Sequence, residues 1–296
     1  MPTAPHPPTA VVLASCARCP AGDGDEAALP GLLAARGVPA RWQPWDAGPP
    51  PPGALVVLRA TWDYTDRPAD FLAWAAAVPR LANPYPVLRR NTDKRYLLRL
   101  AAAGVPVVPT AVREPGEPLG PVAGPIVVKP AVGAGARGAG RFDPATADAA
   151  AAHLRALHAA GRAALVQPYQ PAVDAEGETA LVFVGGRYSH AFTKGAMLSV
   201  GPGDPAGGEL YRSERLAPVG AAPALVAFAR RCLDAAAADA GVAVADLLYG
   251  RVDVVRGPAG PLVLEVELTE PSLGFRQADP ARLAAFADAI AARISG

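Results

Sequence analysis

The chain has 296 residues, with 28 Lys plus Arg against 27 Asp plus Glu and a formal net charge of +1. That length predicts two or three domains around separate cores, and the balanced charge lacks the basic footprint of a nucleic-acid binder. Three cysteines cannot build a disulfide framework, no segment has the length of an uncharged membrane span, and residues 1–8 lack the basic start of a signal peptide, so a cytoplasmic protein is expected.

The first ninety residues alternate between strand and helix patterns. Strands are expected near 11–15, 41–45 and 54–59 and helices near 26–36 and 69–78, which argues a doubly wound α/β domain over residues 1–90. Cys16-Ala17-Arg18-Cys19 imitates a redox motif, although such spacing also arises by chance, and no second cysteine pair or suitably spaced histidine makes it a zinc site. Thr61-Trp62-Asp63-Tyr64 leaves the end of the third strand, where ligands of open α/β sheets bind. Trp62 and Asp63 are therefore candidates for a substrate wall, the alternative being an aromatic pair that packs a loop onto the domain.

Asn91-Thr92-Asp93 supplies capping side chains for a helix over 94–103, which Gly104 closes, and a strand over 105–110 follows. The Pro/Gly-rich stretch 114–125 reads as a linker, after which Ile126-Val127-Val128-Lys129 opens a second unit. A helix over 146–160, a strand over 164–167 and a hairpin turning at Gly185-Gly186 complete a domain over 91–193. From Lys194 a long Gly-containing loop leads to a helix over 222–240, an acidic hairpin and a terminal helix over 280–294, placing a third domain at 194–296.

Gly133-Ala134-Gly135-Ala136-Arg137-Gly138 satisfies the dinucleotide-binding pattern literally, so an NAD-dependent oxidoreductase is a remote alternative. That fingerprint needs glycines that open a helix directly and an acid about 20 residues on. Here Arg141-Phe142-Asp143-Pro144 intervenes, with Asp143 placed as a helix N-cap, and His158 stands where the acid belongs. A P-loop fails as well, because no Gly-Lys-Ser/Thr follows. A Gly/Ala loop between extended segments can instead close over phosphates with its N–H groups. Lys129 stands just before it, and Lys94 is a second compact charge for phosphate.

The acidic hairpin is the most informative stretch. Arg251-Val252-Asp253-Val254-Val255 and Leu264-Glu265-Val266-Glu267-Leu268 alternate with period two around a Gly/Pro cluster at 257–261. Facing Val255 with Val263 sets Asp253 opposite Glu265 and Arg251 opposite Glu267, so three carboxylates share one face. Like charges about 4 Å apart repel by roughly 4 kcal/mol at a surface-like dielectric, so something positive is expected between them. Hard oxygen ligands suit Mg²⁺; the bland alternative is a solvated outer face.

Taken in order, Asn91-Thr92-Asp93-Lys94, Val127-Val128-Lys129-Pro130, the Gly-rich loop, Val166-Gln167-Pro168-Tyr169, Gly177-Glu178 and Asp253 with Glu265-Val266-Glu267 resemble the ATP-grasp ligases of the glutathione-synthetase-like branch, over about 91–275. The resemblance implies an α/β chain of ATP-grasp fold, with the N-terminal doubly wound domain and two α+β subdomains that clamp a nucleotide. It further implies that Lys94 and Lys129 bind ATP phosphates beneath the loop of Gly133 and Gly135, that the Gln167 to Tyr169 backbone pairs with adenine, and that Glu176 or Glu178 holds the ribose. Asp253, Glu265 and Glu267 would bind two Mg²⁺ ions, although the family usually shows Asn at the position of Glu267. Leu58-Arg59-Ala60-Thr61-Trp62-Asp63-Tyr64-Thr65, Gly177-Glu178-Thr179-Ala180-Leu181 and Glu265-Val266-Glu267-Leu268-Thr269-Glu270-Pro271 look, more narrowly, like the D-cycloserine synthetases.

The expected chemistry is ATP-dependent C–N bond formation through a phosphorylated intermediate, catalysed mainly by positioning and electrostatics. Arg251 is expected to stabilise an oxyanion, Lys194 to contact phosphate or substrate, and Ser272 to bind a substrate carboxylate. The narrower resemblance implies O-ureido-D-serine as substrate, with an activated ureido group attacked by the molecule's own amine. The alternative is an intermolecular ligase making a dipeptide or γ-glutamyl amide. Partners are expected to be a small amino-acid-like substrate, with no nucleic acid or membrane, and a homodimer is left open.

Overall fold

The computed structural model describes residues 11–202, 210 and 214–295; the expectations for residues 1–8 and for part of the loop beyond Lys194 lie outside them. Strands β1 (Val11–Ser15), β2 (Ala40–Pro44), β3 (Leu55–Ala60) and β4 (Leu81–Ala82), with helices α1 (Leu29–Ala34) and α2 (Pro68–Ala77), form a parallel sheet of order β2-β1-β3-β4. Both β1 and β3 are buried along their whole length, as parallel strands covered on two faces must be. The order reverses between them, and a crevice opens at their carboxyl ends. Helix α1 starts later than the sequence pattern predicts. The two acids ahead of it are engaged elsewhere, Glu26 with buried Arg59 and Asp25 with the N–H groups of Phe275 and Arg276.

Helices α3 (Tyr85–Asn91) and α4 (Tyr96–Ala102) follow. Asn91 does not cap the second of them: it ends the first, and its amide bridges Val266 O at 2.8 Å and Leu268 N at 2.7 Å. The carboxylate of Asp93 accepts the Arg95 N–H at 2.9 Å instead. Residues 105–110 form no regular strand. Pro106 and Pro109 have no N–H to donate, and the segment touches the hairpin through one bridge, Val107 to Val263.

The second sheet is antiparallel, with order β5-β8-β6-β7, from β5 (Ala111–Arg113), β6 (Ile126–Pro130), β7 (Gly140–Phe142) and β8 (Ala164–Pro168). Helix α5 (Ala147–Ala159) packs Ala150, Leu154 and Leu157 on Val128 and Phe142. The third sheet, also antiparallel, follows α6 (Ala172–Glu176) and runs β11-β10-β9-β12-β13, built from β9 (Glu178–Val184), β10 (Arg187–Lys194), β11 (Leu216–Val219), β12 (Tyr249–Gly257) and β13 (Gly260–Glu267). The expected boundary at 193/194 therefore cuts this sheet, because β9 pairs with β12 and carries β10 with it. Helix α7 (Pro223–Asp239) lays the stripe Phe228, Ala229, Cys232, Leu233 and Ala236 on one face of the sheet. The opposite face is left for the acids. Helix α8 (Pro280–Ser295) returns to the first sheet, packing Phe286, Ala287 and Ile290 with Leu13 and Val57.

The hairpin register at the acids is as expected, for a different reason. Gly257 pairs with Gly260, so the loop is two residues, and Val255 faces Leu262. A bulge between Asp253 and Val254 then restores Asp253 opposite Glu265 and Arg251 opposite Glu267. Among the described residues no helix is long and apolar enough to cross a membrane.

Candidate active site

A cleft of about 1070 Å³ is lined from the second and third sheets and from the segments that follow β1 and β3. Its floor is an interlocked set of charges. Glu265 accepts Lys129 Nζ at 2.6 Å on one oxygen and Lys94 Nζ at 2.7 Å on the other. Asp253 receives Arg251 through Nε at 2.8 Å and Nη2 at 2.9 Å, and Lys194 Nζ at 2.9 Å. Lys194 also reaches Glu178 at 3.0 Å, and Arg251 reaches Glu267 at 2.7 Å and the Ser272 carbonyl at 2.7 Å. The positive charge expected between the acids is thus supplied by the chain itself.

The ionisation states follow. Burial alone would raise Glu265, yet Lys129 and Lys94 hold it well below the usual carboxylate range. Asp253 is likewise lowered, because Arg251 and Lys194 outweigh its burial. Burial raises Glu178 and Glu267 despite their cationic partners. Lys194 is driven well above its ordinary value, as Asp253 and Glu178 overcome the cost of burying it.

Among the described residues no three acids, histidines or cysteines converge tightly enough to hold a metal ion as they stand. Asp253, 1 % exposed, lies beneath the floor. The donor chemistry nevertheless fits Mg²⁺ with a nucleotide: each acid is a hard oxygen ligand, and each is neutralised by a cation of the kind that holds phosphate. Metal ions taking the acids while phosphates take the ammonium groups would conserve charge on both sides.

On the nucleotide side, Gly133 and Gly135 line the cleft in a loop that joins antiparallel β6 to β7. No helix starts there, so the dinucleotide-binding geometry is absent. Gln167 and Tyr169 line the same wall; Gln167 donates to Thr110 Oγ1 at 2.9 Å, and the Arg141 guanidinium covers the Tyr169 ring at 3.7 Å. The Tyr169 N–H is taken by Pro125 O at 2.8 Å, so an adenine contact at that residue falls to its carbonyl. The two ribose candidates separate. Glu178 faces the cleft, whereas Glu176 lies outside it and pairs with Arg256 at 2.9 Å. Between them Gly177 has φ +72°, and a Cβ there would lie 2.5 Å from the Lys194 carbonyl oxygen, a conformation and an approach that favour glycine.

On the substrate side, Trp62 and Ser272 line the cleft, and Trp62 Nε1 donates to Glu270 O at 3.0 Å. Asp63 is not part of the wall: its carboxylate turns back to accept Trp45 Nε1 at 2.8 Å. The sequence reading misses Tyr64, Glu270, Arg18 and Arg276, all of which line the cleft. Tyr64 stands two residues from Trp62 on a one-turn helix, and Glu270 belongs to the Thr269-Glu270-Pro271 segment, so both had a signal in the sequence. Burial, aided by the Glu267 charge, pushes Glu270 up to about 8. The Cys16–Cys19 segment forms a tight turn, with Cys19 N–H donating to Cys16 O at 3.0 Å. Burial raises both thiols, Cys19 to about 11, which leaves no ready thiolate for redox chemistry. The turn instead carries Arg18 to the cleft.

Comparisons with known proteins show the family and the fold. Residues 11–83 match the family described as D-cycloserine synthetase DcsG, N-terminal domain. The chain is 40% identical over 253 residues to the cycloserine biosynthesis protein DcsG of Streptomyces lavendulae, covering 81% of this chain and 83% of that one. A solved structure of D-cycloserine synthetase DcsG superposes with a TM-score of 0.84 at 35% identity, over 96% of this chain and 99% of that one. The D-alanine–D-alanine ligase of Bacillus anthracis shares the fold at 14% identity, with a TM-score of 0.64 over 98% of both chains.

Proposed function

The chain belongs to the D-cycloserine synthetase family, ATP-dependent ligases of the ATP-grasp fold, and on that premise we propose that it closes the ring of an O-ureido-D-serine-like substrate. The observation that carries the reading is Glu265 clasped by Lys94 and Lys129 in a cleft whose other wall is the loop of Trp62 and Tyr64.

In this reading Lys94 and Lys129 hold the ATP phosphates under the Gly133–Gly135 loop, and Glu178 holds the ribose. The carboxylates of Asp253, Glu265 and Glu267 bind two Mg²⁺ ions, which when bound neutralise charge on the transferring phosphoryl group. Lys194 frees Asp253 and Glu178 by turning to phosphate. Arg251, anchored on Asp253 and Glu267, fixes Ser272 through its carbonyl and stabilises oxyanion charge beside it.

The bond inventory of the product corrects one expectation. An isoxazolidinone ring joins the oxyamine nitrogen to the carboxyl carbon, so the carboxylate, and not the ureido group, is the centre to activate. A carboxylate oxygen attacks the γ-phosphorus, giving an acyl phosphate and ADP. The oxyamine nitrogen then attacks the acyl carbon, forming the C–N bond, and phosphate leaves with the electron pair of the broken C–O bond. The carbamoyl group departs that nitrogen to water as carbamate.

The test is ADP release with O-ureido-D-serine as the sole amine, with ring formation followed by mass spectrometry. Release that requires a second amine and yields an acyclic amide would replace the cyclase by the intermolecular ligase.

A further inference from the structure

The chain that follows the acidic hairpin is held in an unusual way. Six successive carbonyls, from Leu268 to Leu273, each accept a hydrogen bond from a side chain of a different segment. The donors in order are Asn83 at 2.7 Å, Tyr249 at 2.8 Å, Trp62 at 3.0 Å, Arg59 at 2.8 Å, Arg251 at 2.7 Å and His190 at 2.7 Å. Gly274 ends the run with φ +63°, and a Cβ there would lie 2.4 Å from the Phe192 ring. A segment without a strand ladder is thus fixed residue by residue, which is how a binding group is held rigid.

The charged side chain this clamp presents to the cleft is Glu270, 7 % exposed. Asp253, Glu265 and Glu267 are each in ion pairs, while among the described residues Glu270 has none. Lys94 and Arg251 are the cations that act on it through space, and both are spent on other acids. A buried carboxylate is costly without a cation, and the Tyr64 hydroxyl, its side-chain hydrogen-bond partner, supplies none, so a cationic ligand is what would hold Glu270 in its charged form. The nucleotide cannot do so: ATP with two Mg²⁺ is neutral, and with one it is still anionic. Given the reaction proposed above, on which this step rests, the substrate's carboxylate must point to the phosphates, which leaves its amino group for the other wall.

We propose that Glu270 is the anionic partner of the substrate's α-ammonium group, and so the residue that selects an amino acid over its hydroxy-acid counterpart. The aromatic side chains of Trp62 and Tyr64 close the wall around that contact and shield it from water.

The test compares binding of O-ureido-D-serine and its 2-hydroxy analogue by calorimetry, in the presence of Mg²⁺ and a non-hydrolysable ATP analogue, with ADP release from ATP followed in parallel. Wild type should prefer the amino compound by at least tenfold; Glu270→Gln should abolish that preference while binding the hydroxy analogue as wild type does. Glu270→Asp, which keeps the charge, should retain part of the preference, and an unchanged melting temperature shift with the nucleotide analogue would show that the variants are folded. A preference that survives in Glu270→Gln, or a wild type that does not favour the amino compound, would overturn the assignment. Amine-dependent binding without ADP release would sink the ligase reading alone.

Discussion

In the function proposed above, Glu265 is the point at which the lysines and the metal compete, and Glu265→Gln should separate the two roles. The substitution is isosteric and removes one charge from a carboxylate 16 % exposed, which bridges ammonium groups 2.6 and 2.7 Å away. Breaking a buried pair by removing one partner costs about 3–5 kcal/mol. Because both lysines can tilt towards the cleft and regain water, the lower end applies, and the free protein should lose roughly 6–12 °C in melting temperature at about 2–4 °C per kcal/mol. Nucleotide without metal should behave in the opposite sense. In wild type the phosphates must displace Glu265 from two charge-assisted hydrogen bonds, each about 1.5–3 kcal/mol; in the variant they need not. Even partial relief predicts binding at least tenfold tighter in EDTA, where tenfold is about 1.4 kcal/mol. With Mg²⁺ restored, turnover should fall roughly a hundredfold, the scale of losing one electrostatic contact to the transition state. Scanning fluorimetry and calorimetry with and without metal give all three numbers. A metal-free affinity equal to or weaker than wild type would refute the competition.

The other expectations concern the two walls and the clamp. Glu178→Ala should weaken nucleotide binding about tenfold, the scale of one or two charge-assisted contacts, whereas Glu176→Ala, whose partner is Arg256 on the outside, should leave it within twofold; equal losses would reverse the ribose assignment. Trp62→Phe removes the donor to Glu270 O and should raise KM for the amino substrate several-fold with KM for ATP unchanged, and a shared rise in both would indicate general loosening. Arg59→Met leaves buried Glu26 without its cation and should cost about 3–5 kcal/mol; adding Glu26→Leu should recover most of the stability but not the KM for the amino substrate, because Pro271 O still lacks its donor. Burial, opposed by the Leu273 carbonyl and Asp25 and reinforced by Arg282, lowers the His190 imidazole. The folded chain therefore stays neutral while the unfolded chain takes up a proton, so this stability is complete above about pH 6.5 and is lost as pH falls below that towards and through the lowered folded value. Melting curves between pH 6.5 and 5 should fall less steeply for His190→Gln than for wild type, with His153, lowered in the same direction, supplying the remaining slope. Parallel slopes would remove His190 from the account.

Much of the fold was legible because its signals are local. The apolar runs of β1 and β3 and the turn at Gly185-Gly186 are written in adjacent residues, and the strand bounds there agree to within a residue or two. Elements were lost where a polar residue that looks like local punctuation works at long range. Asn91 reads as a cap but tethers β13, and Glu26 reads as a helix start but serves Arg59. The hairpin register succeeded because two irregularities cancel, a shorter turn and a bulge, neither of which is visible in alternation alone. The same distinction divides the site. Lys94, Lys129, Glu178 and Glu265 stand in short motifs and meet in the cleft, while Asp63 and Glu176, inside equally suggestive motifs, turn to Trp45 and Arg256.

What no motif could convey is that side chains of the N-terminal domain grip the segment that follows the acidic hairpin. Asn83, Trp62 and Arg59 lie in the first domain, yet they hold three of the six carbonyls that set Glu270 and Ser272 in the cleft. Three neutral or charged donors acting on backbone oxygens leave the acceptor side chains free to face substrate, which a strand ladder at the same place would also do, but only with alternate residues pointing inward. The clamp frees the segment from that alternation. A family that keeps the acidic hairpin can therefore change its substrate by altering this segment and the N-terminal side chains that grip it, with the lysine and carboxylate network beneath left intact.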